Sequence, residues 1–249
     1  MPELLKSEAL VIHSIRWHES SKIVTLYTRE EGMVKAIARG ALKPKSVFAG
    51  RLETLSLVRC VISQKAGREL QILTQADLLN PFLALKTDLN KFPFAMAILE
   101  LINKVFESGH KDEIFFEFLV KMLQAMEKSP YPVIVFLYFL LKLVSFLGFK
   151  PNFERCAVCG RSDFAQGGRF IFREGALYCS GCAAPADVSL PLSAEAIDFL
   201  RELQKFPHRR IQEFAKLPPQ NWDALSFLLR YLNFHLGREV RLESLRLLK

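Results

Sequence analysis

Histidine, cysteine and tryptophan are scarce in this chain: 249 residues contain five, five and two of them. The histidines, His13, His18, His110, His208 and His235, are scattered, and none lies beside a cysteine. There is no glycine-rich phosphate loop and no nucleophile motif, so the usual sequence signs of nucleotide hydrolysis or covalent catalysis are missing. The paired carboxylates Glu30-Glu31 and Asp112-Glu113 fall at turns or helix starts, where negative charge favours the helix dipole and needs no catalytic role. On this basis the chain is expected not to be an enzyme. Acidic residues are also the minority, 26 against 34 Lys and Arg, giving a net charge of +8 and a pI near 9.3, a balance that suggests a polyanionic partner. Internal repeats, low-complexity tracts and a secretory signal at the start are all absent, and the reading is of a protein in reducing cytosol.

Four of the five cysteines form two pairs, Cys156-Ala-Val-Cys159 and Cys179-Ser-Gly-Cys182, with nineteen residues between them. Two residues between cysteines let a tight turn aim both sulfurs at one ion, and the second pair closes a tetrahedron, which is zinc-site spacing. Two disulfides are the other reading of the same four residues, and reducing surroundings oppose it. Four thiolates leave no coordination position for water, so the expected zinc is a single structural ion, worth on the order of 10 kcal/mol to the local fold. Between the pairs, residues 168–172 and 176–178 read as two short strands about an Arg173-Glu174-Gly175 turn, a small zinc ribbon. Cys60, in a strand-like run, reads as a buried apolar residue.

Hydrophobic periodicity divides the rest. Over residues 7–76 short runs alternate with period two, predicting strands at 9–16, 23–28, 33–38, 54–63 and 69–74 and hence a small barrel. After Pro81 the period changes to 3.6, predicting helices at 92–106, 113–126, 132–147, 194–205 and 224–236. Ser193 is the expected N-cap of the fourth, Asp223 or Asn221 that of the fifth, and Gly237 its C-cap. Residues 131–149 are almost continuously apolar and about as long as a membrane span, but Lys142 lies near the middle. The segment therefore reads as the centre of a helical domain, with no membrane role. The expected domains are 1–80, a barrel; 81–150 with 188–249, a helical domain; and 151–187, the inserted zinc module.

Charge is unevenly spread along these segments. Residues 1–80 carry net +4 and 201–249 net +5, whereas 151–200 around the cysteines carry net −2. From 35 to 51 there are five basic residues, Lys35, Arg39, Lys43, Lys45 and Arg51, and no acidic one. A barrel face with such residues neutralises phosphates while aromatic rings stack bases, and Phe48, Trp17 and Tyr27 are the nearby rings. A rival reading is a zinc-ribbon adaptor that binds protein and touches nucleic acid only incidentally, supported by the negative zinc region.

The stretch "HESSKIVTLYTREEGMVKAIARGALKPKS", with "LVIHSIR" before it and "GFKPNFERCAVCG" leading into the cysteines, resembles the RecO family of bacterial recombination mediators over essentially the whole chain. The resemblance implies an α+β protein: an N-terminal five-stranded oligonucleotide-binding (OB) fold β-barrel, then an α-helical domain with an inserted four-cysteine zinc module. It implies binding of single- and double-stranded DNA in the bacterial cytoplasm, at the nucleoid, and annealing of complementary strands. It further implies action with RecR to load RecA on strands covered by single-strand-binding protein, whose C-terminal tail docks on the helical domain. Carried over by position, Lys35 and Arg39 fall on the family's basic barrel face, extended by Lys43, Lys45 and Arg51, with Arg16 and Lys22 as further candidates. Some members of the family lack the cysteines, so zinc does not define its activity.

Overall fold

A computed structural model describes residues 3–107, 109, 111–182, 188–220 and 223–248; His110 and Asn221 lie outside them. The chain forms two compact units, Met1–Glu127 with Leu242–Lys249, and Lys128–Arg241. This division differs from a boundary near residue 80, because the first helices pack onto the strands that precede them.

In the first unit five strands, β1 (Glu3–Trp17), β2 (Ser21–Thr28), β3 (Gly32–Ala38), β4 (Leu57–Gln64) and β5 (Leu70–Asn80), close a barrel in the order β1-β2-β3-β5-β4. All five expected strands are present. Strand β1 is longer than the alternation indicated, because its first half pairs with β4 and its second with β2; a bulge between Val11 and His13 bends it from one neighbour to the other. The β3–β5 pairing is parallel and completes the ring. Inside lie Ala9, Val11, Val24, Leu26, Val34, Ala36, Ala38, Val58, Cys60, Ile62 and Leu73. Cys60 is thus a core residue, and burial pushes its thiol up to about 12.

The β3–β4 connection is not a free loop. Ala41, Phe48 and Leu52 join the barrel core, while successive turns (Lys43 N to Gly40 O, 3.1 Å; Ser46 N to Lys43 O, 3.0 Å; Arg51 N to Phe48 O, 3.0 Å) fold the backbone over it. Tyr27 is also buried, packed against Phe106, Phe115 and Phe116. Neither Phe48 nor Tyr27 is therefore open to a base, contrary to the expectation that both are stacking rings.

Helices α1 (Leu83–Thr87), α2 (Phe92–Val105) and α3 (Glu113–Lys128) follow the barrel. Asp112 accepts from Phe115 N at 2.8 Å, which gives the Asp112-Glu113 pair its helix-start role. Arg29 ties barrel to α3, donating to Glu8 and to Glu117, both at 3.1 Å, with its guanidinium over the Phe116 ring. The chain's last described turn returns to α2, where Glu100 accepts from Glu243 N and Ser244 N at 2.8 and 2.9 Å.

The second unit centres on α4 (Pro132–Phe146), whose residues from Ile134 to Leu141 are all buried. Among the described residues no helix is long and apolar enough to cross a membrane. Lys142 has an internal partner: its Nζ donates to Gln204 O at 2.9 Å and lies over the Tyr138 ring, satisfying a carbonyl in the last turn of α5 (Ala194–Lys205). Ser193 and Asp223 cap α5 and α6 (Ala224–Leu236) as expected, accepting from Ala196 N and Ser226 N, and Gly237 ends α6 in the left-handed region. Packed with them is a four-stranded sheet, β6 (Asn152–Cys156), β7 (Gly168–Ile171), β8 (Ala176–Cys179) and β9 (Ser189–Leu192), in the order β6-β8-β7-β9. Strands β7 and β8 match the expected ribbon. Strands β6 and β9 add an edge on each side, too short and too mixed in pattern to stand out in sequence.

The packing of two rings sets measurable stabilities. Phe48→Ala should cost about 3–5 kcal/mol, as for other large buried rings, read as a lowered denaturant midpoint. His235 stacks on Phe149 at 4.3 Å with its Nε2 buried and without a hydrogen-bond partner among the described residues, and burial lowers its pKa from 6.5, partly offset by a backbone hydrogen bond with Phe172. Its contribution to stability is present in full above the unfolded value of 6.5 and is lost as pH falls from there through the depressed folded value. Urea midpoints measured from neutral to mildly acid pH should fall less steeply in His235→Phe than in the wild type.

Candidate nucleic-acid interface and metal centre

Strand register decides which basic side chains share a face. The cross-strand sets Ser14–Val24–Ala36 and Ile15–Ile23–Ile37 alternate, and Val24 and Ala36 belong to the interior, so Ile15, Ile23 and Ile37 point outward. Lys35, two residues before Ile37 and paired with Thr25, is on that outer face and exposed; Arg39, two residues after it, is exposed where β3 ends. Lys43 and Lys45 are exposed on the connection whose apolar side chains plug the barrel. Among the described residues, Lys35, Arg39, Lys43 and Lys45 form no ion pair.

The remaining three candidates are placed differently. Arg16 and Lys22 pair with each other in register with the interior-facing Ala38, on the opposite side of the sheet from Lys35. Lys22 is bound to Glu53 at 2.8 Å, with its side chain only 15% exposed. Arg51 donates to Ala76 O and to Asp77, both at 2.9 Å. Lys22 and Arg51 thus have carboxylate partners within the barrel, and Arg16 is exposed and unpaired among the described residues. Lys35 is not free of acidic company either, since it borders a hollow with Glu31, Arg68, Glu69 and Gln71.

In the second unit the four cysteines converge, their sulfurs all within 4.8 Å of one another, Cys159 and Cys179 at 3.7 Å, and all four are free thiols. Each pair sits on a tight turn, with Gly160 N donating to Cys156 O and Cys182 N to Cys179 O. Burial raises the Cys156 thiol, but backbone N–H groups of Cys159, Cys179 and Val158 outweigh it and bring the group to about 6. Four sulfurs this close favour thiolates only if a cation neutralises them, and the set matches a four-coordinate metal site.

Arg201, which carries no motif in the sequence, supports this centre. From α5 it donates to Phe153 O at 2.6 Å, Glu154 O at 2.9 Å and Ser162 O at 2.8 Å, and it covers the Phe164 ring, bracketing Cys156 and Cys159 on both sides in sequence. Gly175, at the expected turn, has φ +60, and a Cβ there would lie 2.6 Å from the Tyr231 hydroxyl. That hydroxyl donates to Phe149 O, so the ribbon's turn is seated directly on α6.

Family models match both ends of the chain. Residues 1–82 match the model of the recombination protein O N terminal and 86–246 that of the recombination protein O C terminal. The chain belongs to the recombination protein O (RecO) family. Similar proteins include a DNA repair protein RecO of Anaeromyxobacter sp. (strain K), 31% identical over 95% of this chain and 93% of its own length. Those of Caldanaerobacter subterraneus and Chlorobium phaeobacteroides are 30% and 28% identical, over 95% and 94% of this chain and 95% and 93% of their own lengths. This is a DNA repair family, and the barrel and the cysteine cluster of this RecO member lie one in each matched segment.

Replacing Cys156 and Cys159 together by serine should abolish metal retention while leaving hydrogen-exchange protection over residues 7–76 largely unchanged. Metal analysis combined with exchange mass spectrometry reads both, and loss of protection throughout the barrel would contradict a division of the chain into separate modules.

Proposed function

We propose that the protein is a non-catalytic DNA-binding recombination mediator, which binds single- and double-stranded DNA by charge and shape along the outer face and plugged end of its barrel. The observation that carries this reading is the group Lys35, Arg39, Lys43 and Lys45, exposed and without ion pairs among the described residues on one ordered barrel and its connection. Arg16, Lys22 and Arg51 are secondary DNA ligands in this reading, since two of them already hold carboxylates. Single strands follow a cationic surface by phosphate neutralisation, and annealing needs no bond made or broken, only two strands brought together with their charge reduced.

Family membership supports the finer parts of the proposal: annealing of complementary strands, action with RecR in loading RecA, and docking of the C-terminal tail of single-strand-binding protein on the helical domain, all in the bacterial cytoplasm at the nucleoid. In this division of labour residues 1–80 hold DNA and 81–150 with 188–249 form the helical domain that meets protein partners. Residues 151–187 hold one structural zinc ion through Cys156, Cys159, Cys179 and Cys182. Zinc suits the all-thiolate set and leaves no site for a reacting water.

Lys35→Glu combined with Arg39→Glu should weaken binding to single strands irrespective of sequence. It should also flatten the log–log salt dependence by roughly 0.7 for each phosphate that is no longer neutralised, with zinc content unchanged. Unchanged affinity in a folded variant would remove the barrel from DNA binding. A wild-type protein whose binding is insensitive to salt would favour the adaptor reading of the zinc module.

A further inference from the structure

We infer that Trp17, with His18, forms a nucleobase-stacking subsite for single-stranded DNA at the tip of the β1–β2 hairpin, a detail that rests on the DNA-binding reading above. Trp17 is 43% exposed, whereas Tyr27 and Phe48, the other rings close to the basic run in sequence, are 0% and 5% exposed. It is paired with Ser21, and the regular register from His13 to Trp17 puts it on the same outward side as Ile15, Ile23, Ile37 and Lys35. Ile15 is itself 42% exposed, so the ring continues an apolar strip open to solvent. His18 stands edge-on to Trp17 with ring centroids 4.9 Å apart.

Charge complementarity identifies the occupant. Leu42 N donates to Ser20 O at 2.9 Å, tying the basic connection to this tip, and the Lys43 stem lies across Gly40 in the same turn. Arg39 and Lys43 are thereby next to the hairpin whose aromatic pair is exposed, and Glu19 is the one carboxylate among the tip residues. An exposed ring on a hairpin tied to a cation-bearing segment matches the alternation of base and phosphate along a single strand. A duplex offers the phosphates but hides the faces of its bases, so the ring adds affinity for single strands alone.

Stacking is also the part of binding that salt does not screen. Trp17→Ala should therefore lower affinity for oligothymidylate about 5- to 150-fold, the range expected for removing one base–ring stack, with the salt slope unchanged and duplex affinity kept. Trp17→Phe should retain most of the affinity. Tryptophan emission should be quenched when oligothymidylate binds the wild type and much less in Trp17→Phe. The inference is overturned alone if the wild type binds DNA in a salt-sensitive way and Trp17→Ala binds oligothymidylate equally well, or loses duplex affinity to the same extent. If the wild type binds neither form of DNA, the DNA-binding reading falls and the subsite with it.

Discussion

Side-chain alternation around a closed barrel is the constraint from which the candidate interface follows. Once Val24, Val34 and Ala36 are committed to the interior, Lys35, Ile37, Ile15 and Trp17 have no alternative to the outside. The same parity sends Arg16 and Lys22 the other way, because each immediately precedes an outward residue, Trp17 and Ile23. The plug formed by Ala41, Phe48 and Leu52 extends the effect to the connection, because fixing its apolar side chains inward leaves Lys43 and Lys45 outward on a backbone that is already ordered. In the proposed role, a preordered surface would avoid the entropy of arranging a loop on each encounter with DNA.

The second unit solves a different problem, that of holding four thiol groups together. Local turns bring each cysteine pair into position, and the pairing of β6 with β8 brings pair to pair, with Ala157 N donating to Leu177 O at 2.9 Å and Cys179 N to Cys156 Sγ at 3.4 Å. Arg201 binds the backbone on both sides of the first pair, and Tyr231 sets how closely the Gly175 turn approaches α6. Lys142 shows how a charge is accommodated beside the buried helix α4: its ammonium donates to Gln204 O, a carbonyl in the last turn of α5.

Much of this was legible in the chain itself. Period-two alternation located all five barrel strands, and the helical period located α2 to α6, including the caps Ser193, Asp223 and Gly237. What escaped were features whose cause is non-local. The second half of β5 runs to Asn80 because β4 pairs with it there, beyond the alternating pattern. The rings of Phe48 and Tyr27 read as surface candidates because they neighbour basic or polar residues in sequence, and nothing local shows that one fills the barrel's end and the other is sealed by Phe106, Phe115 and Phe116. Charge was misleading in the same sense, since Lys22 and Arg51 look equivalent to Lys35 until Glu53 and Asp77 are found opposite them.

The sequence by itself determined the identity and spacing of the four clustered cysteines, the alternation that makes a barrel, and the excess of positive charge over residues 35–51. These depend on bonding distances and on backbone periods of two and 3.6, which operate within a few residues. Only the tertiary structure decided which cations remain unpaired, which aromatic ring meets solvent, and what holds the two cysteine pairs to one another. Each of those is settled by a partner tens of residues away, brought near only when the strands close and the helices pack.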